Sequence, residues 1–176
     1  MHEIVVSKEI RANQQIVWNM FSEFDLVHKF HPMVRTSPLV GDMHTGKGAK
    51  RVCTMYNGMK AYEEITAIRE PEFLRIDITK SPMPFKKAYG EFYFDAIDKD
   101  TSKVTIKMFL TPKFGIFGDF MYRLAMKKSL ATMLAGVLDG LDNYLKSGRL
   151  VGKNGSLQER DKDLNIKNTN QYQEVV

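Results

Sequence analysis

The sequence predicts an α+β domain in which a curved antiparallel sheet of about seven strands surrounds a long C-terminal helix. Between residues 34 and 112, stretches of alternating polar and apolar residues are separated only by turn sequences such as Asn57-Gly58. Parallel strands need crossover connections of about a dozen residues or more, so these strands must be antiparallel. From Leu124 to Leu145, leucines recur on one helical stripe, which predicts the long helix.

One strand and two short helices are predicted at the start of the chain. Residues 3–11 alternate as a strand does, and Asn13 then provides an N-cap before apolar residues at helical spacing. A second short helix is predicted over residues 25–30 and ends before Pro32, because the residue preceding a proline disfavours the helical conformation. Both helices should lie near the edge of the sheet.

Six further strands are predicted between residues 34 and 112. Asn57-Gly58 is the strongest hairpin signal, because both residue types tolerate the positive φ that a type I′ turn requires. The long helix after Pro112 should end at Gly148. Beyond it the residues are mainly polar and cannot offset the entropy of ordering. We therefore predict a domain over residues 1–148 and a polar, flexible tail over residues 149–176.

Composition indicates a globular protein and disfavours several other classes. Hydrophobic residues make up 43% and charged residues 27% of the 176-residue chain, a balance typical of one globular domain. The single cysteine, Cys53, cannot form an intramolecular disulfide, and no Cys/His cluster has metal-site spacing, so we expect no metal or other cofactor. The absence of a secretory leader and of an apolar run of about 20 residues predicts a cytoplasmic protein.

The net charge of +5 raises the question of an anionic partner. The basic residues are scattered among acids and form no dense run with interleaved aromatic residues, so nucleic acid is not an expected partner. Nothing in the sequence decides the oligomeric state.

Several local motifs join the predicted element order. They are Trp18 on the first helix, the Phe30-His31-Pro32 turn, Gly48-Ala49-Lys50-Arg51 at the third strand, and Glu63-Glu64-Ile65 on the fourth. Together they resemble the START-like, or SRPBCC, superfamily of polyketide cyclases, lipid-transfer domains and plant hormone receptors, over about residues 3–148. The resemblance implies a helix-grip fold with a cavity between sheet and helix. It also implies a small apolar ligand and, in a minority of members, cyclisation or dehydration.

The side chains that face the cavity follow from the resemblance and from strand alternation. The resemblance implies inward positions on the third and fourth strands, and alternation adds those on the later strands and the helix. The predicted ligand-contacting set is Lys8, Arg51, Cys53, Met55, Ala61, Glu63, Ile65, Ile76, Ile78, Phe92, Phe94, Ile106, Met108, Leu134, Leu138 and Leu141. The alternative is that the apolar members only fill the core.

Three polar residues are candidates for chemistry in this cavity. Arg51 and Glu63 should lie on adjacent strands and form a salt bridge, because an unpaired buried charge is costly. His31 could act as an acid or base, or it could be a structural hydrogen-bonding group. Lys8 is predicted as a third charge at the cavity mouth, unless these long side chains reach solvent at strand ends. Cys53 is expected to be a small buried side chain and not a nucleophile.

Three functions remain open from the sequence. The first is a carrier for a small apolar or amphipathic molecule. The second is a polyketide cyclase or dehydratase with Glu63, Arg51 and His31 as acid, anchor and proton-transfer group. The third is a lipid-transfer protein that contacts membranes through the phenylalanines of residues 113–120 and neighbouring basic residues. The expectation preferred for these phenylalanines is that they cover the open end of the sheet.

Overall fold

A curved seven-stranded antiparallel sheet is the central element of the computed structural model, which describes residues 1–162. The strand order is β1-β7-β6-β5-β4-β3-β2, and every pairing is antiparallel. The strands are β1 (His2–Ile10), β2 (Val34–Thr36), β3 (Lys50–Met55), β4 (Lys60–Arg69), β5 (Phe73–Lys80), β6 (Phe85–Ala96) and β7 (Ser102–Pro112). The predicted fold class is confirmed.

The helices follow the predicted order. They are α1 (Gln14–Ser22), a 3₁₀ helix (Leu26–Lys29), α2 (Gly115–Met121), a π-helical turn (Tyr122–Met126) and α3 (Lys127–Ser147). The last three are continuous along the chain and form the predicted long helix. Gly148 ends it with a φ of 65°, and its N–H donates to the carbonyl of Tyr144 at 2.8 Å. Within residues 1–162, no helix combines the length and apolar character that a bilayer crossing requires.

Helix α1 closes one end of the sheet with aromatic side chains. It begins at the predicted cap, where Oδ1 of Asn13 accepts a hydrogen bond from the N–H of Ile16 at 2.9 Å. Trp18 packs edge-on against Phe94, with ring centroids 5.4 Å apart, and Phe21 lies 5.3 Å from the same ring. Because these rings occupy the space above the sheet, this end of the interior is solid.

The β3–β4 hairpin forms at the predicted site, but its turn type differs from the prediction. Of the two central residues only Gly58 has a positive φ, of 84°, whereas a type I′ turn needs two. The side chain of Asn57 instead accepts a hydrogen bond from the N–H of Met59 at 3.1 Å, which stabilises a longer loop. In the resulting register, Arg51 lies opposite Glu63.

Glycine allows α3 to approach the chain that follows the 3₁₀ helix. A Cβ atom at Gly140 would overlap the carbonyl oxygen of Phe30, so the helix and this backbone are in direct contact. At Gly136 a Cβ would lie 3.5 Å from Pro32, an ordinary contact distance. The close approach therefore occurs at Gly140 and not at Gly136.

Ordered structure continues past Gly148, where the sequence predicts a flexible tail. Two short strands, β8 (Arg149–Val151) and β9 (Leu157–Arg160), form a hairpin in which Val151 is buried. Oδ2 of Asp161 accepts a hydrogen bond from the Tyr144 hydroxyl at 2.6 Å and lies 2.7 Å from Nζ of Lys29. The predicted boundary therefore differs from the structure, because a few buried residues hold this segment. The rest of the predicted tail, residues 163–176, lies outside the described residues.

The phenylalanines of residues 113–120 do not cover the sheet, and that expectation is wrong. The face of α2 that meets the domain consists of Gly118 and, one turn later, Tyr122, both of which are buried. A Cβ at Gly118 would overlap the carbonyl of Lys113, so α2 packs tightly against its own preceding turn. The phenylalanine side chains consequently point away from the domain and are exposed.

Candidate ligand-binding cavity

A cavity of about 280 Å³ lies between the sheet and α3. It is at the end of the interior that α1 leaves unfilled, and most of the side chains around it are apolar. Six of the 11 methionines of the sequence line it, namely Met33, Met55, Met59, Met83, Met108 and Met133. Unbranched thioether side chains adapt their shape to a neighbour, so the wall can accommodate ligands of different outline.

A second compartment of about 320 Å³ adjoins the first. It lies between the β5–β6 connection and the first turns of α3, and it includes Lys86, Lys87 and Lys113. The two compartments share Ile78, Ser81, Met83, Met108, Leu130, Met133 and Leu134. The apolar space therefore extends from the middle of the sheet to a basic outer edge.

Arg51 and Glu63 form an ion pair on the wall of the inner cavity. Nε and Nη2 of Arg51 lie 2.7 and 2.6 Å from the same oxygen, Oε2 of Glu63. Nη1 donates to the carbonyl of Phe24 at 2.9 Å, and the guanidinium lies 4.0 Å above the ring of that residue. Although burial alone lowers the pKa of Arg51, the Glu63 carboxylate raises it above its ordinary value. Arg51 is therefore positively charged and held in place, and most of its N–H groups already donate to protein acceptors.

The other carboxylate oxygen of Glu63 remains available to a ligand. Oε2 accepts from Arg51 and also lies 3.5 Å from Sγ of Cys53, whereas Oε1 forms no hydrogen bond with any residue of the range 1–162. The Glu63 side chain is 14% exposed and lines the cavity. The carboxylate thus presents one unused acceptor at an apolar wall, where a hydrogen bond is strong.

His31 contributes a donor to the same cavity. Its Nδ1 accepts a hydrogen bond from the N–H of Met33 at 3.1 Å. Burial lowers the pKa of His31 to about 4; the Glu63 charge opposes this shift and the Arg51 charge adds to it. The ring is consequently neutral at pH 7, and because Nδ1 is the acceptor, the proton is on Nε2. This Nε2–H has no hydrogen-bond acceptor in the described part of the chain.

Cys53 and potential metal ligands offer no reactive centre in the described residues. Burial and the charge of Glu63 raise the pKa of the Cys53 thiol to about 12, so it stays protonated. Across residues 1–162, no group of three or more His, Cys, Asp or Glu side chains is arranged to hold a metal ion. Among the predicted candidates, Glu63, His31 and Arg51 are therefore the residues that could take part in chemistry in the cavity.

Comparison with known proteins identifies the family. The sequence matches the polyketide cyclase/dehydrase and lipid transport family over residues 1–146. The chain belongs to this family. No curated protein matches it.

Several solved structures share the fold of this chain at low sequence identity. XoxI from Bacillus cereus aligns with a TM-score of 0.69 and 17% identity over 84% of this chain and 97% of that one. A START superfamily protein from Mycobacterium smegmatis aligns with a TM-score of 0.65 and 14% identity over 82% of this chain and 99% of that one. Ginseng major latex-like protein 151 from Panax ginseng aligns with a TM-score of 0.66 and 14% identity over 81% of this chain and 96% of that one.

The structure brings together about half of the residues predicted to contact a ligand in this family member. Those that line the inner cavity are Arg51, Met55, Ala61, Glu63, Ile78, Phe92, Ile106, Met108 and Leu134, with His31 beside them. The predicted Arg51–Glu63 pair is present. Their contact with a ligand stays a prediction.

The other predicted residues lie elsewhere, for two reasons. Six of them are buried but do not line the cavity, namely Cys53, Ile65, Ile76, Phe94, Leu138 and Leu141. Lys8 has the predicted parity on β1, yet its Nζ lies 2.6 Å from Asp139 and 3.4 Å from Asp142 on α3. It therefore ties the helix to the sheet and does not line the cavity.

Several cavity residues were missed by the sequence reasoning. On α3 the lining positions are Leu130, Met133, Leu134 and Val137, which lie about one turn N-terminal to the predicted set. Phe21, Val27, Met33, Met59, Lys60, Ser81, Pro82, Met83 and Ser129 also contribute. Methionines adjoining three separate turns were the available signal, because exposed turns rarely contain large apolar residues.

Proposed function

We propose that this protein binds and carries a small, mainly apolar molecule that has a hydroxyl group. The observation behind the proposal is that Glu63 and His31 both line an apolar cavity, and that Oε1 of Glu63 and the Nε2–H of His31 have no hydrogen-bond partner among residues 1–162. A hydroxyl group can donate to the first and accept from the second. Leaving both groups unpaired in an apolar cavity is unfavourable, so such a ligand gains specificity as well as affinity.

An anionic ligand fits this polar wall less well. The Arg51 side chain is only 7% exposed, and its N–H groups already donate hydrogen bonds to Glu63 and to the carbonyl of Phe24. A ligand carboxylate would have to approach the Glu63 carboxylate in a medium of low dielectric, where like charges repel strongly. Lys86, Lys87 and Lys113 line the outer compartment and not the inner cavity. Lys60 is the one lysine among the described residues that line the inner cavity, and it is exposed.

Binding of matched ligands tests the proposal. Displacement of a fluorescent apolar probe by a long-chain alcohol, the corresponding alkane and the corresponding carboxylate should rank the alcohol first, by about tenfold, the effect of one hydrogen bond to a charged group. Glu63→Gln with His31→Phe should remove this preference. Equal displacement by alcohol and alkane, or a preference for the carboxylate, would contradict the hydroxyl assignment.

The site can be located with one cavity-filling substitution and one surface control. Leu134 is buried and lines both compartments, so Leu134→Trp should fill space and weaken probe binding at least about tenfold while the fold persists. Val5→Trp, at an exposed position of β1, should leave binding unchanged. Native mass spectrometry of the purified protein would identify any molecule that it retains, and we expect a neutral lipid or polyketide-like alcohol.

The second candidate function is cyclisation or dehydration of a polyketide in the same cavity. It draws on the family and on the unpaired oxygen of Glu63 and N–H of His31, which could exchange protons with a bound substrate. A His31 pKa of about 4 makes the ring a weak base at pH 7, and Oε2 of Glu63 is already engaged by Arg51, so carriage is the better supported function. Turnover of a linear poly-β-ketone mimic that Glu63→Gln abolishes would favour catalysis.

We assign this carrier to the cytoplasm. Its sole cysteine, Cys53, is a buried free thiol, as is usual in reducing compartments.

A further inference from the structure

A group of apolar side chains on α2 and the π-helical turn has no covering partner among residues 1–162. Phe114, Ile116, Phe117, Phe120 and Leu124 are 73, 90, 66, 62 and 76% exposed, and we call these five residues the α2 patch. Scattered single apolar residues are common on protein surfaces, but contiguous large ones mark interaction sites. Their spacing along one helix places four of them, residues 116, 117, 120 and 124, on a single face.

Basic side chains border the α2 patch. Lys113 precedes it, and Arg123, Lys127 and Lys128 follow, with Arg123 and Lys127 four residues apart along the edge of the apolar face. Asp119 is the only acidic residue from 113 to 128, and its carboxylate lies 2.7 Å from Nε2 of His2. A cleft of about 380 Å³ beside the patch is lined by His2, Glu3, Tyr122, Arg123 and Lys127.

The α2 patch lies next to the outer compartment of the cavity. Lys113, which immediately precedes the patch, lines that compartment, and its N–H donates to the carbonyl of Pro84 at 2.9 Å. Pro84 belongs to the β5–β6 connection, and the neighbouring residues 81, 83, 85, 86 and 87 also line the compartment. A surface that covers the patch would therefore lie beside the entrance to the cavity.

We propose that the α2 patch inserts into the interface of an anionic lipid bilayer, with its basic border at the headgroups. An apolar helical face bordered by lysine and arginine is the pattern of helices that lie in the membrane interface, where burial of apolar area and attraction to anionic lipid add together. This inference goes beyond ligand carriage, because it names the surface at which the cavity would exchange its ligand.

Charge favours a bilayer over a second copy of the chain as the occupant. A two-fold symmetric dimer through the α2 patch would set the basic border of one copy close to that of the other, since the same patch meets itself. Four basic residues against one acid, Asp119, leave each copy of this segment with like charge that opposes such pairing. Anionic headgroups neutralise the same charges.

Vesicle flotation with the full-length protein tests the proposal. The protein should float with phosphatidylcholine vesicles that contain phosphatidylglycerol, and much less with phosphatidylcholine alone. Phe117→Ser with Phe120→Ser should reduce binding to the anionic vesicles at least about tenfold, because two large apolar side chains are lost. Val40→Ser with Ile97→Ser, which changes two side chains that are 49 and 50% exposed elsewhere, should have no effect.

Charge reversal measures the electrostatic contribution to vesicle binding separately from the apolar one. Lys127→Glu with Lys128→Glu should lower binding to anionic vesicles by about tenfold or more, whereas Lys99→Glu with Lys103→Glu, in the β6–β7 hairpin, should change it much less. Probe binding in solution should survive the patch substitutions, so failure of membrane docking is distinguishable from failure of ligand carriage. Absence of vesicle binding by the unmodified protein would overturn the proposal. So would a dimer in analytical ultracentrifugation that Phe117→Ser with Phe120→Ser dissociates.

Discussion

Arg51 and Glu63 meet through one oxygen, so the second carboxylate oxygen is left for a ligand. Nε and Nη2 of Arg51 lie 2.7 and 2.6 Å from Oε2, and no residue from 1 to 162 hydrogen-bonds to Oε1. The ion pair places a charge-assisted hydrogen bond on the wall of an apolar cavity, and the second oxygen of Glu63 stays accessible to a ligand. The same two residues therefore stabilise the interior and define its polar wall.

A double-mutant cycle should show strong coupling between these two residues. Glu63→Leu leaves a guanidinium that is 7% exposed without its counter-ion, so we expect a loss of about 3–5 kcal/mol in the free energy of unfolding. Arg51→Met should cost somewhat less, because the Glu63 side chain is 14% exposed and keeps more contact with solvent than Arg51 does. The double variant should be more stable than Glu63→Leu alone. Denaturant unfolding measures all four species, and additive effects would contradict a coupled pair.

His31 should make stability depend on pH below neutrality. Its pKa is about 4 in the folded protein and near 6.5 when exposed, so the unfolded chain binds more protons between these values. The free energy of unfolding should consequently decrease as the pH falls from about 6.5 to 4, by on the order of 1–3 kcal/mol. The full contribution is present above pH 6.5.

Matched histidine variants isolate this contribution. His31→Gln should flatten the dependence of unfolding free energy on pH between 4.5 and 7, a range chosen about the two pKa values. His44→Gln, at an exposed position, should keep the slope of the unmodified protein. A slope that His31→Gln leaves unchanged would mean that another group titrates in this range.

Alternation predicted which strand residues face inward, but it could not predict which of them adjoin empty space. Ile76 and Ile78 share the inward face of β5, yet Ile76 is packed and Ile78 lines both compartments. The difference arises because Trp18 and Phe21 of α1 fill one end of the interior, a contact between segments far apart in sequence. Strand periodicity contains no information about contacts between such distant segments.

Residues outside regular elements account for most of the remaining differences. Met33, Met59 and Met83 reach the cavity from connections, where no periodic pattern indicates the direction of a side chain. The β8–β9 hairpin forms in a segment of polar composition, because Val151 and Asp161 are buried against the domain. The average composition of this segment could not predict that these two residues would be buried.

Truncation after Gly152 should lower the melting temperature, in contrast to the tolerance that a flexible tail implies. The cut removes β9 and Asp161, which accepts a hydrogen bond from Tyr144 and pairs with Lys29. A loss of ~2 kcal/mol would lower the midpoint by about 4–8 °C in a domain of this size. Asp161→Ala should cause most of this decrease in melting temperature. Glu159→Ala, at an exposed position, should cause very little of it. An unchanged midpoint after truncation would support the tail prediction.

Two glycines of α3 should respond to alanine in opposite directions. At Gly140 a Cβ would overlap the carbonyl oxygen of Phe30, and that backbone is the immediate neighbour of His31, so Gly140→Ala should push the helix away from the cavity wall. We expect a loss of at least ~2 kcal/mol in unfolding free energy together with altered probe binding. At Gly136 the Cβ would lie 3.5 Å from Pro32, a tolerable distance, so alanine should stabilise the helix by up to about 1 kcal/mol. Denaturant unfolding and probe titration of the two variants provide the comparison. If Gly140→Ala were as stable as Gly136→Ala, α3 would not be held against the backbone of Phe30.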